Sequence, residues 1–370
     1  MNTNFLKDTA VAKAFYNEGA FVQTSSDSFR VFIGPFKGHI SLASAQAAAR
    51  AKDEPILYNS NFWDFLQLNT QKSEYFTSED SFHCTRDELI KFSAKKDSTI
   101  DNINWQIAGK AEFKQQYDWI QSHITQGKLS KALPIALSKG RGNIPSRLPA
   151  ILEKIIYHPT ANYSYGFWNS KSGMIGYTPE VLSSWSKNNS ELKTMALAGT
   201  WRKNLIDPAP NFSDPKVKEE HNFVIQDIQN QLKTFSMTYQ SQTTVVELPY
   251  LYHLKTNFSY QCESVEKYLQ AVHLLHPTAA LGLFPREPKM AHEFSHINIQ
   301  EKRQQFGAPL GFVSHQDGFM LVAIRNIMWS SDHIQLFAGC GVTDESLFED
   351  EWLEILAKQD SVKKMLGVES

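Results

Sequence analysis

LAGT, Leu197 to Thr200, ends a strand-like run that starts near Lys193, and Glu220 and His221 follow at the head of a helix. Far downstream stands EWLEILAK, Glu351 to Lys358. The three segments propose one buried acidic site assembled from distant parts of the chain. Carboxylates beside apolar stripes are costly unless something offsets their charge, and a divalent cation holding an anionic substrate is a ready candidate.

Outward from this core, strand-rich blocks alternate with long helices, which predicts a large α+β fold. The 370 residues suit one large fold or two subdomains. Residues 1–108 read as mixed helix and strand: Phe29 to Ile33 as a strand closed by Gly34-Pro35, and Ser41 to Ala51 as a helix. Residues 109–370 carry the candidate chemistry. A helix runs from Lys110 to Gln126 with Gly127 as its cap, then KALPIAL from Lys131 reads as a buried strand that Pro134 bulges or places at an edge. Strands are predicted at Tyr163–Trp168, Gly173–Tyr177, Lys193–Ala198 and Thr243–Leu248, with a polar segment from Trp201 to Phe212. Asp214 caps and Pro215 opens an amphipathic helix carrying Val217, His221, Val224, Ile225, Ile228 and Leu232. After a helix from Ser264 to Leu275, GFMLVAIRNIMW from Gly318 and HIQLFAGCGV from His333 read as two strands, and Ser346 to Leu366 as a closing helix.

Composition narrows the class. Twenty-four Phe, thirteen Tyr and eight Trp supply a substantial core. A net charge of −2 without a basic run argues against a nucleic-acid partner. Cys84, Cys262 and Cys340 are widely spaced and odd in number, which fits a reducing cytosol rather than zinc or disulfide chemistry. With no signal-like N-terminus and no unbroken apolar run of membrane-spanning length, the expectation is a cytoplasmic chain that does not contact a membrane.

Each candidate residue has a plain explanation beside the chemical one. Glu220 borders its helix's apolar stripe, with Asp227 one heptad on; a solvated flank would explain it. Glu351, Glu354 and Lys358 share one helix edge, as an exposed ion-pair ladder would. Arg325 interrupts MLVAI–NIMW, where a guanidinium needs an anion, either a structural carboxylate or a substrate carboxylate. Lys131 is a surface lysine or, if buried, a general base; Glu180 in GYTPE is a capping carboxylate at a loop or helix start, or a general acid. His276 in HPT either satisfies local backbone or supports a catalytic acid, and Gly339 and Gly341 mark a bulge or a close backbone approach to a ligand.

Jointly, GKLSKALPI, GYTPEVL, TMALAGT, KVKEEH, LLHPTAALGLFP, GAPLGF, VAIRN, LFAGCGV and EWLEILAK resemble the chorismate-utilising enzymes in order and spacing, over about Lys110 to Leu366. The resemblance implies an anthranilate synthase component I-like fold with two antiparallel sheets flanked by helices, and Mg²⁺-dependent chemistry on chorismate. It implies Glu220 and Glu354 as metal ligands supported by Glu351. Arg325, Lys358 and Gly339 would hold substrate carboxylates, and Gly199, Thr200 and Ala280 would line the ring. Lys131 would activate water for attack at C2 and Glu180 would protonate the departing C4 hydroxyl.

Within that family, Lys131 and Ala198 imply water rather than an amine as nucleophile, so no glutamine amidotransferase subunit is expected. Ala280 and Leu281 after HPT resemble isochorismate synthase more than salicylate synthase, the alternative in which pyruvate is also eliminated. Pro134, Trp201 and Leu283 depart from the family pattern, with Leu283 placed to crowd the ring; a non-catalytic chorismate-binding protein is the third reading. The absence of an obvious sticky surface stripe leans towards a monomer. Whether the product feeds menaquinone, a siderophore or salicylate depends on neighbouring enzymes.

Overall fold

The computed structural model describes residues 9–51, 53–66, 72, 74–93, 103–157, 162–202, 215–247 and 251–369. The expected cap at Asp214, Leu248, the residues before Thr9 and most of the segment from Trp201 to Phe212 lie outside them. Two large antiparallel sheets organise the rest. The first has nine strands in the order Asp80–Thr85, Ser28–Ile33, Gly19–Ser25, Tyr163–Trp168, Ser172–Thr178, Asn326–Ser330, His333–Gly339, Ile135–Arg141 and Asn104–Gln106. The second has ten; its spine is Leu251–Gln261, Glu191–Arg202, Val181–Ser186, Asp317–Val322, Pro309–Val313 and Ile56–Asn59. Lys131–Ala132 and Leu283–Phe284 form a separate two-stranded ribbon.

Alternation builds the layers, because a period of two sends neighbouring side chains to opposite faces. Phe29, Val31 and Ile33 enter one apolar cluster and Phe32 another; Ile327 and Trp329 divide from Met328 in the same way. The nine-stranded sheet is therefore buried on both sides. One side shares a core with Leu57, Leu310 and Met320 of the ten-stranded sheet. The other meets Ile151, Leu152 and Ile155 of helix Leu148–Tyr157 and Val362 and Leu366 of helix Phe348–Leu366. Helix Pro215–Gln231 lies against strand Glu191–Arg202, and Tyr268 of helix Val265–Leu275 stacks on Trp185 at 5.8 Å between centroids.

The α+β architecture with two helix-flanked antiparallel sheets agrees with the expectation, and most elements fall within a few residues of their predicted ends. Helix Lys110–Thr125 is followed by Gly127 at φ +68°, the left-handed conformation glycine adopts without a Cβ penalty. Two strands differ from the sequence reading. KALPIAL is not one bulged strand but two, Lys131–Ala132 in the ribbon and Ile135–Arg141 in the nine-stranded sheet. GFMLVAIRNIMW likewise breaks into Asp317–Val322 of one large sheet and Asn326–Ser330 of the other. Among the described residues no helix is long and apolar enough to cross a membrane.

Candidate active site at the sheet crossings

The chain passes from the nine-stranded to the ten-stranded sheet at Pro179 and Glu180, and back again at Ala323, Ile324 and Arg325. The two crossings run side by side: Tyr177 N–H donates to Arg325 C=O at 3.3 Å, and Val322 N–H to Glu180 C=O at 3.1 Å. Arg325 takes φ +53°, a left-handed conformation uncommon for a residue with a Cβ. Buried Asn326 and Tyr165 hold it there, Asn326 Nδ2 donating to Ala323 C=O at 2.8 Å and Tyr165 OH to Ile324 C=O at 2.7 Å. Arg325 thus sits in a kink between strands, not inside one. Glu180 occupies a crossing between strands, with no helix start beside it.

The crossings wall a cavity of about 230 Å³. Of the residues singled out from sequence, Glu180, Thr200, Glu220, Ala280, Arg325, Gly339, Glu354 and Lys358 line it, and Glu351 joins them. Lys131 and Gly199 are not on the wall. Gly199 is the extra residue of a bulge, at φ +75°, and a Cβ there would stand 2.6 Å from Val217 C=O, so it admits the first turn of the Glu220 helix. Lys131 is fully buried behind Gly341, where a Cβ would stand 2.2 Å from Glu220 Oε1 and 2.6 Å from Lys131 Cε. Leu283 does not crowd the cavity: it is buried, pairs with Ala132 and lies off the lining, as does Trp201.

Pro134 is accommodated by two buried carboxamides. Gln116 Nε2 donates to Ile135 C=O at 2.8 Å while its Oε1 accepts from Ile135 N–H at 3.0 Å, and Gln300 Nε2 donates to Leu133 C=O at 3.0 Å. Side-chain amides thereby satisfy backbone groups on either side of the proline.

Electrostatically the cavity is matched within the chain. Glu220 Oε1 stands 3.1 Å from Lys131 Nζ, Glu351 Oε1 3.1 Å from Lys216 Nζ, and Glu354 Oε1 2.7 Å from Lys358 Nζ. Lys358 also donates to Gly339 C=O at 2.8 Å. The terminal helix is not the exposed ion-pair ladder its spacing allows: Glu351 is 4% exposed. Burial, then Glu354, pushes its carboxyl up, with Lys216 opposing. Glu180 is also 4% exposed, and burial raises it to about 7 against the pull of Lys131 and Arg325.

His253 and Lys216 are site residues the sequence reading missed. Burial, then Arg325, holds His253 well below the ordinary imidazole value. Neutral, its Nε2 accepts from Arg325 Nη2 at 3.3 Å, which leaves Nδ1–H to donate to Thr200 Oγ1 at 3.1 Å. A lone His in LYHL announces none of this, whereas Lys216, four residues before Glu220 on one helix face, was findable by spacing. His276 is structural: its Nε2 bonds Phe62 C=O at 2.9 Å, and burial lowers it to about 3.

Among the described residues no three His, Cys, Asp or Glu side chains converge into a ready metal nest. The donor chemistry nonetheless fits Mg²⁺, which binds hard oxygens, keeps several waters and takes one or two protein carboxylates. Glu220 and Glu354 are the wall carboxylates that would hold it, by exchanging their lysine contacts.

Residues 48–367 match the family described as chorismate binding enzyme. The chain is 27% identical to an isochorismate synthase (MenF) of Escherichia coli over 212 residues, 55% of this chain and 48% of that protein. To a salicylate biosynthesis isochorismate synthase of Pseudomonas aeruginosa it is 28% identical over 306 residues, 78% of this chain and 62% of that one. The chain thus spans about half to three-fifths of the length of the curated relatives it matches. In fold it superimposes on the menaquinone-specific isochorismate synthase of Escherichia coli with a TM-score of 0.78 at 19% identity, covering 98% of this chain and 92% of the other. Anthranilate synthase component I of Streptococcus pneumoniae gives 0.67 at 15% identity, covering 86% and 82%. With the family match covering most of its length, the chain belongs to the chorismate-binding enzymes.

Proposed function

We propose that this chain is a Mg²⁺-dependent isochorismate synthase, an isomerase that adds water at C2 of chorismate as the C4 hydroxyl departs. The observation that carries the reading is Glu180: a buried carboxyl with a pKa near 7, on the wall of a cavity that also presents Arg325 and Lys358. Retaining a large protonated fraction at neutral pH, it is suited to donate to a leaving hydroxyl. Arg325, braced by His253, offers a planar fork to a carboxylate, and Lys358 a second cation. Bound Mg²⁺ would supply the charge that anchors a substrate carboxylate near Glu220 and Glu354.

In this reading, water oxygen bonds to C2 while its proton passes to the Lys131 amine. Both ring double bonds shift, C1=C2 to C1=C6 and C5=C6 to C4=C5, the C4–O bond breaks with its electron pair, and Glu180 gives that oxygen a proton. One water enters and one leaves. Lys131 stands next to Glu220 behind the wall, so its exchange with a water in the cavity runs past that carboxylate.

Purified protein given chorismate and Mg²⁺ is expected to yield isochorismate by HPLC, and Lys131→Ala to yield none. Undiminished turnover in EDTA would remove the metal from the scheme. Pyruvate detected by coupling to lactate dehydrogenase would convert the assignment to salicylate synthase.

A further inference from the structure

Asp227 lies two helical turns beyond Glu220, roughly 10 Å along the axis, and is 2% exposed. Its Oδ2 accepts two hydrogen bonds of 2.7 Å, from Ala279 N–H and from Arg286 Nη2. Arg286 in turn donates to the carbonyls of Leu274 at 2.8 Å and Leu275 at 3.0 Å, acceptors that helix Val265–Leu275 leaves unbonded at its end. A buried carboxylate thereby ties the Glu220 helix to the backbone of the residue preceding Ala280, which lines the cavity. The same loop is pinned from its other side, Leu133 N–H donating to Gly282 C=O at 3.2 Å and Arg303 Nη1 to Leu281 C=O at 3.2 Å.

We propose that Asp227 is a positioning residue: its bond to Ala279 N–H sets the separation between the Glu220 carboxylate and the Ala280 wall, and so the fit of the substrate ring. This rests on the reading of the cavity as a chorismate site. The loop's own turn does not supply this bond: Leu281 and Gly282 N–H groups bond Thr278 C=O at 2.9 and 2.8 Å, and Ala279 N–H is left to Asp227.

Removing Asp227 alone would strand the Arg286 cation, so the test uses charge-free pairs. In Asp227→Asn with Arg286→Gln, the new amide oxygen still accepts from Ala279 N–H; in Asp227→Ala with Arg286→Gln, nothing does. Chorismate binding in Mg²⁺ is measured by calorimetry for the wild type and both pairs, at a temperature where thermal unfolding shows all three folded. The first pair is expected to bind within about twofold of wild type and the second about tenfold more weakly, a loss of about 1.4 kcal/mol in binding. Equal affinity of the two pairs, or failure of the alanine pair alone to fold, makes Asp227 a packing residue and overturns the proposal while the function stands. A folded wild type that binds no chorismate takes both down.

Discussion

The cavity has two halves built by opposite strategies. Glu220, Lys216, Glu351, Glu354 and Lys358 project from two helices, at spacings that regular geometry fixes. Glu180 and Arg325 stand where the chain leaves one sheet for another, in backbone that follows no repeat, and Lys131 lies behind the wall in the two-stranded ribbon. Helix positions tolerate adjustment by a rotamer, whereas a crossing residue is held by hydrogen bonds to the neighbouring crossing. The crossing half is thus suited to reactions sensitive to sub-ångström placement, and the helical half to binding an exchangeable ion.

The sharpest division should come from Glu180→Gln. Loss of the proton donor is expected to lower kcat by about 10²- to 10⁴-fold with little change in KM, by steady-state kinetics with HPLC detection. A raised KM with kcat unchanged would mean that Glu180 binds rather than donates. On the same half, Arg325→Lys keeps the charge but loses the fork, and should raise KM by roughly tenfold to a hundredfold, as loss of a charged hydrogen bond does. An unchanged KM would leave the left-handed kink without a purpose in binding.

On the helical half, Glu354→Gln is expected to raise the Mg²⁺ concentration for half-maximal rate by more than tenfold while kcat at saturating Mg²⁺ recovers, the order seen when ligand shells are perturbed. A kcat that cannot be restored would dissolve the distinction between the halves. Smaller still is the effect of Gly341→Ala, whose methyl would wedge between Lys131 and Glu220. Overpacking of this kind costs about 1–3 kcal/mol, read as a lower melting temperature, with a loss of activity that added Mg²⁺ does not repair.

The pH response separates function from stability at one residue. Because Glu180 titrates near 7, well above an unfolded carboxyl, its protonated form is stable in the fold. Its contribution is fully present below the unfolded value and is lost as pH rises through about 7. Activity should decline over the same window. Glu180→Gln should lack that limb and, above pH 7, unfold at higher denaturant than wild type even though it is nearly inactive.

The helical half was legible because apolar residues and carboxylates recur at three and four. Their burial was not, since Glu351 and Asp227 look like flank residues until a second helix and a loop close over them. The crossings were hidden for a different reason. KALPIAL and GFMLVAIRNIMW are apolar apart from Lys131, Arg325 and Asn326, so a strand that continues and one that changes sheets have nearly the same sequence pattern. Only Pro134 hinted at a break, and Arg325 gave its position by chemistry rather than periodicity. His253 was silent because its role depends on Thr200 and Arg325, neither of them near it in sequence. The suspicion attached to Leu283 dissolves because that side chain packs in the ribbon.

Strands from the first hundred or so residues cap three margins of the two sheets: Gly19–Ser25 against Tyr163–Trp168, Ile56–Asn59 against Pro309–Val313, and Asn104–Gln106 against Ile135–Arg141. A fragment pared down to residues 109–370 would keep every side chain that lines the cavity yet bare three rows of unpaired amides and carbonyls. Such rows template pairing between molecules. The smallest chemically complete piece of this protein is therefore not its smallest soluble one, and the stretch poorest in chemistry is what keeps each molecule from adding itself to the next.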